Sequence, residues 1–160
     1  MEKKLLHFTL NGDPKTVAVK PGRTLVQVLR EDLGMTGTKR CCNSGACSSC
    51  SVLVDGQVVN ACSVLACQVE NKEVSTVEGV AEGGTLHPLQ ESFLDEGGLQ
   101  CGFCTPGMIM AAQELLSRNL EPTAEDVRHQ IAGNLCRCTG YVKIVNSILT
   151  AAKRMREAQS

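Results

Sequence analysis

The chain has 160 residues, a formal net charge of −1, ten cysteines, three phenylalanines, one tyrosine and no tryptophan. That balance gives no strong electrostatic pull toward nucleic acid or an anionic membrane, and too few aromatics to stack the bases of a single strand. No apolar run approaches the ~20 residues that span a bilayer.

The opening Met1-Glu2-Lys3-Lys4 leads into an alternating pattern, not a signal-peptide stretch, and no arginine pair opens the chain. The sequence therefore points to a cytoplasmic protein. Thiols are kept reduced there, so the ten cysteines read as metal-binding or redox groups before they read as disulfides.

In chain order, Leu6, Phe8 and Leu10 alternate with polar residues as a strand, Asn11-Gly12-Asp13-Pro14 makes a turn, and Thr16 to Val19 returns as a second strand. Thr24 can cap a helix carrying Leu25, Val28, Leu29 and Leu33, with Gly34 as its stop. Residues 37–50 form a loop rich in Gly, Ser and Cys. Ser51 to Val54, Asp55-Gly56 and Gln57 to Asn60 spell a hairpin. Glu73 to Val77 reads as a last strand.

Gly79, Gly83 and Gly84 mark a linker, and helical spacing follows it. Leu89, Phe93 and Leu94 suggest a short helix ending at Gly97. Pro106 can open a second helix running toward Asn119. Thr123 with Asp126 resembles a capping box for a third, which should stop near Gly133. Ile144, Ile148, Leu149 and Ala152 belong to a fourth. The expected architecture is α+β, with a β-rich domain over residues 1–78 and a four-helix domain over residues 79–160.

Cys42, Cys47, Cys50 and Cys62 follow C-x4-C-x2-C…C, the plant-type ferredoxin spacing for a [2Fe–2S] cluster. Three thiolates from one loop must wrap the cluster while backbone N–H groups turn inward, and the small residues between these cysteines permit that. Zinc is the competing occupant, but the next C-x2-C lies far beyond the ~15–20 residues of a zinc ribbon. Packed thiols or a disulfide are the remaining alternative.

Cys101-x2-Cys104 and Cys136-x-Cys138 form a second set, each pair placed just before a predicted helix. Two helix N-termini converging there would favour an anion, and a thiolate-bound [2Fe–2S] cluster is one. Spacing alone leaves zinc or helix-packing cysteines open at this site.

The segments Gln100-Cys-Gly-Phe-Cys-Thr-Pro-Gly-Met108 and Gly133-Asn-Leu-Cys-Arg-Cys-Thr-Gly-Tyr141 resemble signatures of the iron–sulfur subunit of the molybdenum hydroxylases, the xanthine oxidase group. The resemblance covers nearly the whole chain. It implies a β-grasp ferredoxin domain with one [2Fe–2S] cluster on Cys42, Cys47, Cys50 and Cys62. It also implies a four-helix-bundle domain with a second cluster on Cys101, Cys104, Cys136 and Cys138. Gln100 and Cys138 match positions that contact the pterin. Partners implied are a large molybdopterin-binding subunit and a medium FAD-binding subunit, with the helical-domain cluster nearer molybdenum and the ferredoxin-domain cluster nearer flavin. The implied function is relay of single electrons between those two sites. Cys41, Asn43 and Ser48 stand where the family loop usually has glycine.

Cys67 follows an apolar stretch and reads as a buried thiol. His7, His87 and His129 are in no metal-ligand spacing and read as surface or locally bonded. Lys39-Arg40 and the basic tail Lys153 to Arg156 read as solvated. The chain has no phosphate-binding glycine fingerprint and no nucleophile–base pair, so no residue is assigned to catalysis. A diffusing ferredoxin and a zinc-binding interaction module are the competing functions. The second cysteine-bearing domain argues against the first.

Overall fold

The computed structural model describes residues 2–81 and 83–159. Five strands form one mixed sheet: β1 (Lys4–Leu10), β2 (Asp13–Val19), β3 (Ser51–Val54), β4 (Gln57–Asn60) and β5 (Glu73–Ser75), in the order β2-β1-β5-β3-β4. β1 pairs antiparallel with β2 and parallel with β5, and β3 is antiparallel to both β4 and β5. β2 starts earlier than the sequence suggests and includes Pro14 opposite Thr9. Proline is tolerated because β2 is an edge strand.

The expected hairpin forms over β3 and β4. Asp55 and Gly56 both take positive φ, as a two-residue turn with the twist of the strands requires. β3 is buried on both faces. Val52 points into a core with Leu6, Phe8, Leu10, Leu25 and Leu29. Leu53 points the other way, into a core shared by four helices.

After Thr24 the expected helix starts as α1 (Leu25–Gln27), and the Gln27 side chain returns to accept from the Thr24 N–H. It does not continue as an α-helix. Val28–Asp32 is a π-helical turn closed by Leu33 N to Val28 O at 3.1 Å. Gly34 ends it at φ 70°. Arg30 then donates to the carbonyls of Thr36 and Thr38, both at 2.8 Å, tethering the start of the cysteine loop.

The helices beyond the linker are α2 (Pro88–Asp95), α3 (Thr105–Arg118), α4 (Ala124–Gln130) and α5 (Val142–Glu157). α4 stops three residues before the Gly133 of the sequence reading, because Asn134 N closes a turn on Ile131 O. Its expected cap is present: Thr123 Oγ1 accepts from Asp126 N while Asp126 takes the Thr123 N–H. Leu89, Phe93, Met108, Ile109, Ile144 and Ile148 share one core. Cys67, expected to be buried, is exposed. It lies on a 3-10 turn, Ala66–Val69, whose inward positions are taken by Ala66 and Val69. No helix among the described residues is long and apolar enough to cross a membrane.

Candidate metal centres

Cys42, Cys47, Cys50 and Cys62 come together around one loop. Asn43, Gly45 and Ser48 all take positive φ. These reversals turn amides toward sulfur: Ser44 N donates to Cys42 Sγ at 3.4 Å, and Gly45 N to Cys62 Sγ at 3.3 Å. Asn60 Nδ2 holds the loop from beneath by donating to the Gly45 carbonyl at 3.0 Å. The free thiols pair by hydrogen bonds, Cys42 with Cys47 and Cys50 with Cys62. The backbone N–H of Ser44 brings the exposed Cys42 down to about 6. Burial pushes Cys50 up to about 12. Cys41 also contacts Cys47, whose charge pushes it up.

Cys101, Cys104, Cys136 and Cys138 form the second set. Cys104 is the N-cap residue of α3, and Pro106 sits in that helix's first turn. Cys138 Sγ lies 3.5 Å from Cys101 Sγ, and Cys104 bonds to Cys136. Burial pushes Cys104 up to about 12, with Cys136 adding to it. Cys136 is opposed by burial, but the hydroxyl and backbone of Thr139 outweigh that and leave it at about 7. Cys101 is lowered by the Phe103 N–H, and Cys138 is raised by its bond to Cys101. Gln100 and Cys138 are both exposed on this side of the molecule.

The donor chemistry fits a binuclear iron–sulfur cluster at each set. There are four soft thiolate donors, arranged two and two as two irons need, with inward backbone N–H groups to offset the cluster's negative charge. No group of three or more His, Cys, Asp or Glu among the described residues is arranged to hold a single metal ion.

The two sets are joined. Leu135, next to Cys136, donates its N–H to the Cys47 carbonyl at 3.0 Å. Asn134 Nδ2 donates to the Ser48 carbonyl at 3.2 Å and is buried there. A cleft of about 500 Å³ lies between the sets, bordered by Cys41, Cys47, Phe103 and all four cysteines of the second set.

Two family models match the chain: a 2Fe-2S iron-sulfur cluster binding domain over residues 8–86 and a [2Fe-2S] binding domain over residues 76–149. The nicotinate dehydrogenase small FeS subunit of Eubacterium barkeri is 43% identical over 154 residues, covering 96% of this chain and 98% of that protein. The xanthine dehydrogenase iron-sulfur-binding subunit of Escherichia coli O157:H7 is 45% identical, covering 92% of this chain and 94% of that one. The chain belongs to the molybdenum hydroxylase family. It is an iron–sulfur subunit of that family of oxidoreductases. Among solved structures, a chain of quinoline 2-oxidoreductase from Pseudomonas putida 86 superposes with TM-score 0.95 at 41% identity, covering 100% of both chains. The aldehyde oxidoreductase of Desulfovibrio desulfuricans ATCC 27774 matches with TM-score 0.93 at 42% identity. It covers 98% of this chain but only 17% of its own, so there the same module is part of a much longer polypeptide.

The structure places Cys42 beside Cys47, Cys50 beside Cys62, Cys101 beside Cys138 and Cys104 beside Cys136, with Cys41 also beside Cys47. Sequence reasoning missed the residues that join the sets: Leu135 and Asn134, Gly107 behind them, and Tyr141, whose hydroxyl accepts from Cys136 N at 2.8 Å. The sequence carried no signal for the Leu135 bond, which is made by backbone atoms alone.

Proposed function

We propose that this iron–sulfur subunit carries two [2Fe–2S] clusters and relays single electrons between a molybdenum site and a flavin held by partner subunits. Cys42, Cys47, Cys50 and Cys62 are the ligands in a β-grasp ferredoxin domain, residues 1–78. Cys101, Cys104, Cys136 and Cys138 are the ligands in a four-helix-bundle domain, residues 79–160. When bound, the clusters supply one-electron redox chemistry at thiolate sites.

The observation that carries this reading is the pair of four-thiol sets joined by Leu135 N and Cys47 O at 3.0 Å. The chain's own residues then have defined tasks. Ser44 and Gly45 offset thiolate charge at the first set. Thr139 and the Phe103 amide do so at the second. Asn134 and Leu135 hold the two loops at fixed separation. Burial of Cys47, Cys50 and Cys62 keeps water from the first set.

Partners are a large molybdopterin-binding subunit and a medium FAD-binding subunit. The relatives named as small or iron–sulfur-binding subunits support this, as does the module's fusion into a longer aldehyde oxidoreductase chain. Gln100 and Cys138 face the pterin. Phe103 and Leu135, at 43% and 56% exposed, give that side an apolar surface suited to burial against another chain. The test is anaerobic isolation of the assembly, followed by Gln100→Ala. Two larger subunits should co-purify, and the variant should keep its iron while slowing reduction of the clusters by substrate. Isolation of the chain alone, or unaltered reduction in the variant, would remove the partner or the pterin contact respectively.

A further inference from the structure

Tyr141 is the chain's one tyrosine, and its backbone lies at φ 68°. Positive φ in a bulky residue costs free energy and persists only where surrounding contacts fix it. The contacts here are specific. Gly140, at φ 67°, and Tyr141 reverse the chain just before α5, and the ring folds back over the loop bearing Cys136. Its hydroxyl accepts from Cys136 N at 2.8 Å and donates to the Asn134 carbonyl at 3.2 Å.

Those two partners are the residues on either side of Leu135. One phenol oxygen thus pins both peptide neighbours of the amide that reaches the Cys47 carbonyl. The ring itself packs against the helical core, so its apolar body does not need the hydroxyl.

The geometry points to Tyr141 as a positioning residue for passage between the two centres: its hydroxyl holds Leu135 N on Cys47 O. This rests on the electron-transfer reading. A single electron leaves one centre and enters the other, with no bond made or broken and no proton moved. The role of Tyr141 is to keep the shortest hydrogen-bonded connection between the two ligand loops closed. Its hydroxyl acts through the backbone, on Cys136 N and the Asn134 carbonyl.

The test uses Tyr141→Phe in the full assembly, which keeps the ring and removes one oxygen. Hydrogen–deuterium exchange of a peptide spanning residues 131–137 should speed up about tenfold, the equivalent of roughly one hydrogen bond, with β4 unchanged. Iron content should stay at the wild-type value. After a one-electron reducing pulse, equilibration between the two centres should slow. Unchanged exchange together with an unchanged equilibration rate would overturn the proposal. So would loss of the helical-domain iron, because the hydroxyl would then be holding the ligand loop as a whole. Wild-type protein with only one centre would instead overturn the electron-transfer reading.

Discussion

Gly107, in the first turn of α3, faces the backbone carbonyl of Ser48 so closely that a Cβ on Gly107 would overlap the oxygen. That carbonyl cannot swing aside, because it already accepts from Asn134 Nδ2, Ser51 N and Ser51 Oγ. Alanine in a helix gains about 1 kcal/mol over glycine. Overpacking against fixed backbone costs about 1–3 kcal/mol. Gly107→Ala should therefore lower stability, by up to about 2 kcal/mol, in urea unfolding of the cluster-loaded chain. Gly133→Ala is the comparison: its added Cβ would stand 3.6 Å from Ser48 Oγ, an ordinary contact, and should leave the midpoint nearly unchanged.

Ser48 is buried and sits at φ 52° where the family loop usually has glycine. Left-handed backbone costs an ordinary L-residue roughly 1–2 kcal/mol, and glycine loses part of that gain through its freer unfolded chain. Ser48→Gly should raise stability by about 1 kcal/mol in the same unfolding measurement. Asn43, at φ 56°, is of a residue type that tolerates this region, so Asn43→Gly should change little.

Cys41 and Cys42 both reach Cys47, but only Cys42 has a loop amide on its sulfur, from Ser44 N at 3.4 Å. Cys42 also gives the plant-type spacing to Cys47. Cys42→Ala should lose the ferredoxin-domain iron and spin signal while the helical-domain signal survives. Cys41→Ala should keep both. The reverse pattern would reassign the ligand, and retention in both variants would make the two thiols interchangeable.

In the metal-free chain, alkylation should follow thiolate population. Cys42, brought down to about 6 by Ser44 N, should react at neutral pH and slow as pH falls through about 6, where its thiolate takes up a proton. Cys136, at about 7, should lose reactivity over the pH range just above that. Cys50 and Cys104, pushed up to about 12 chiefly by burial, should stay unmodified at neutral pH. Mass spectrometry of trapped peptides across pH reads all four. Modification of Cys50 or Cys104 as early as Cys42 would contradict this order.

What could be read from the sequence depended on where the information resides. The β3–β4 hairpin was fully legible because Asp55-Gly56 encodes its own turn. The α4 cap was legible because Thr123 and Asp126 satisfy each other's amides. Cysteine spacing pointed to two groups of thiols, and the structure brings Cys42 near Cys47, Cys50 near Cys62, Cys101 near Cys138 and Cys104 near Cys136. The π-helical turn after Gln27 was not legible: Val28, Leu29 and Leu33 fit α spacing equally well, and only the Leu33 N to Val28 O bond distinguishes the two. Cys67 was misplaced because an apolar neighbourhood says nothing about which side of a short 3-10 turn faces in. The Leu135 N to Cys47 O bond between the thiol sets is made by backbone atoms, which leave no side-chain pattern.

The central claim is that one chain holds two distinct [2Fe–2S] clusters, and the direct measurement is iron content with electron paramagnetic resonance of the reduced, anaerobically purified protein. The expected result is four irons per chain, two for each cluster, with two resolvable signals because the surroundings of the two thiol sets differ. A single signal with two irons, or stoichiometric zinc in a colourless protein, would contradict it.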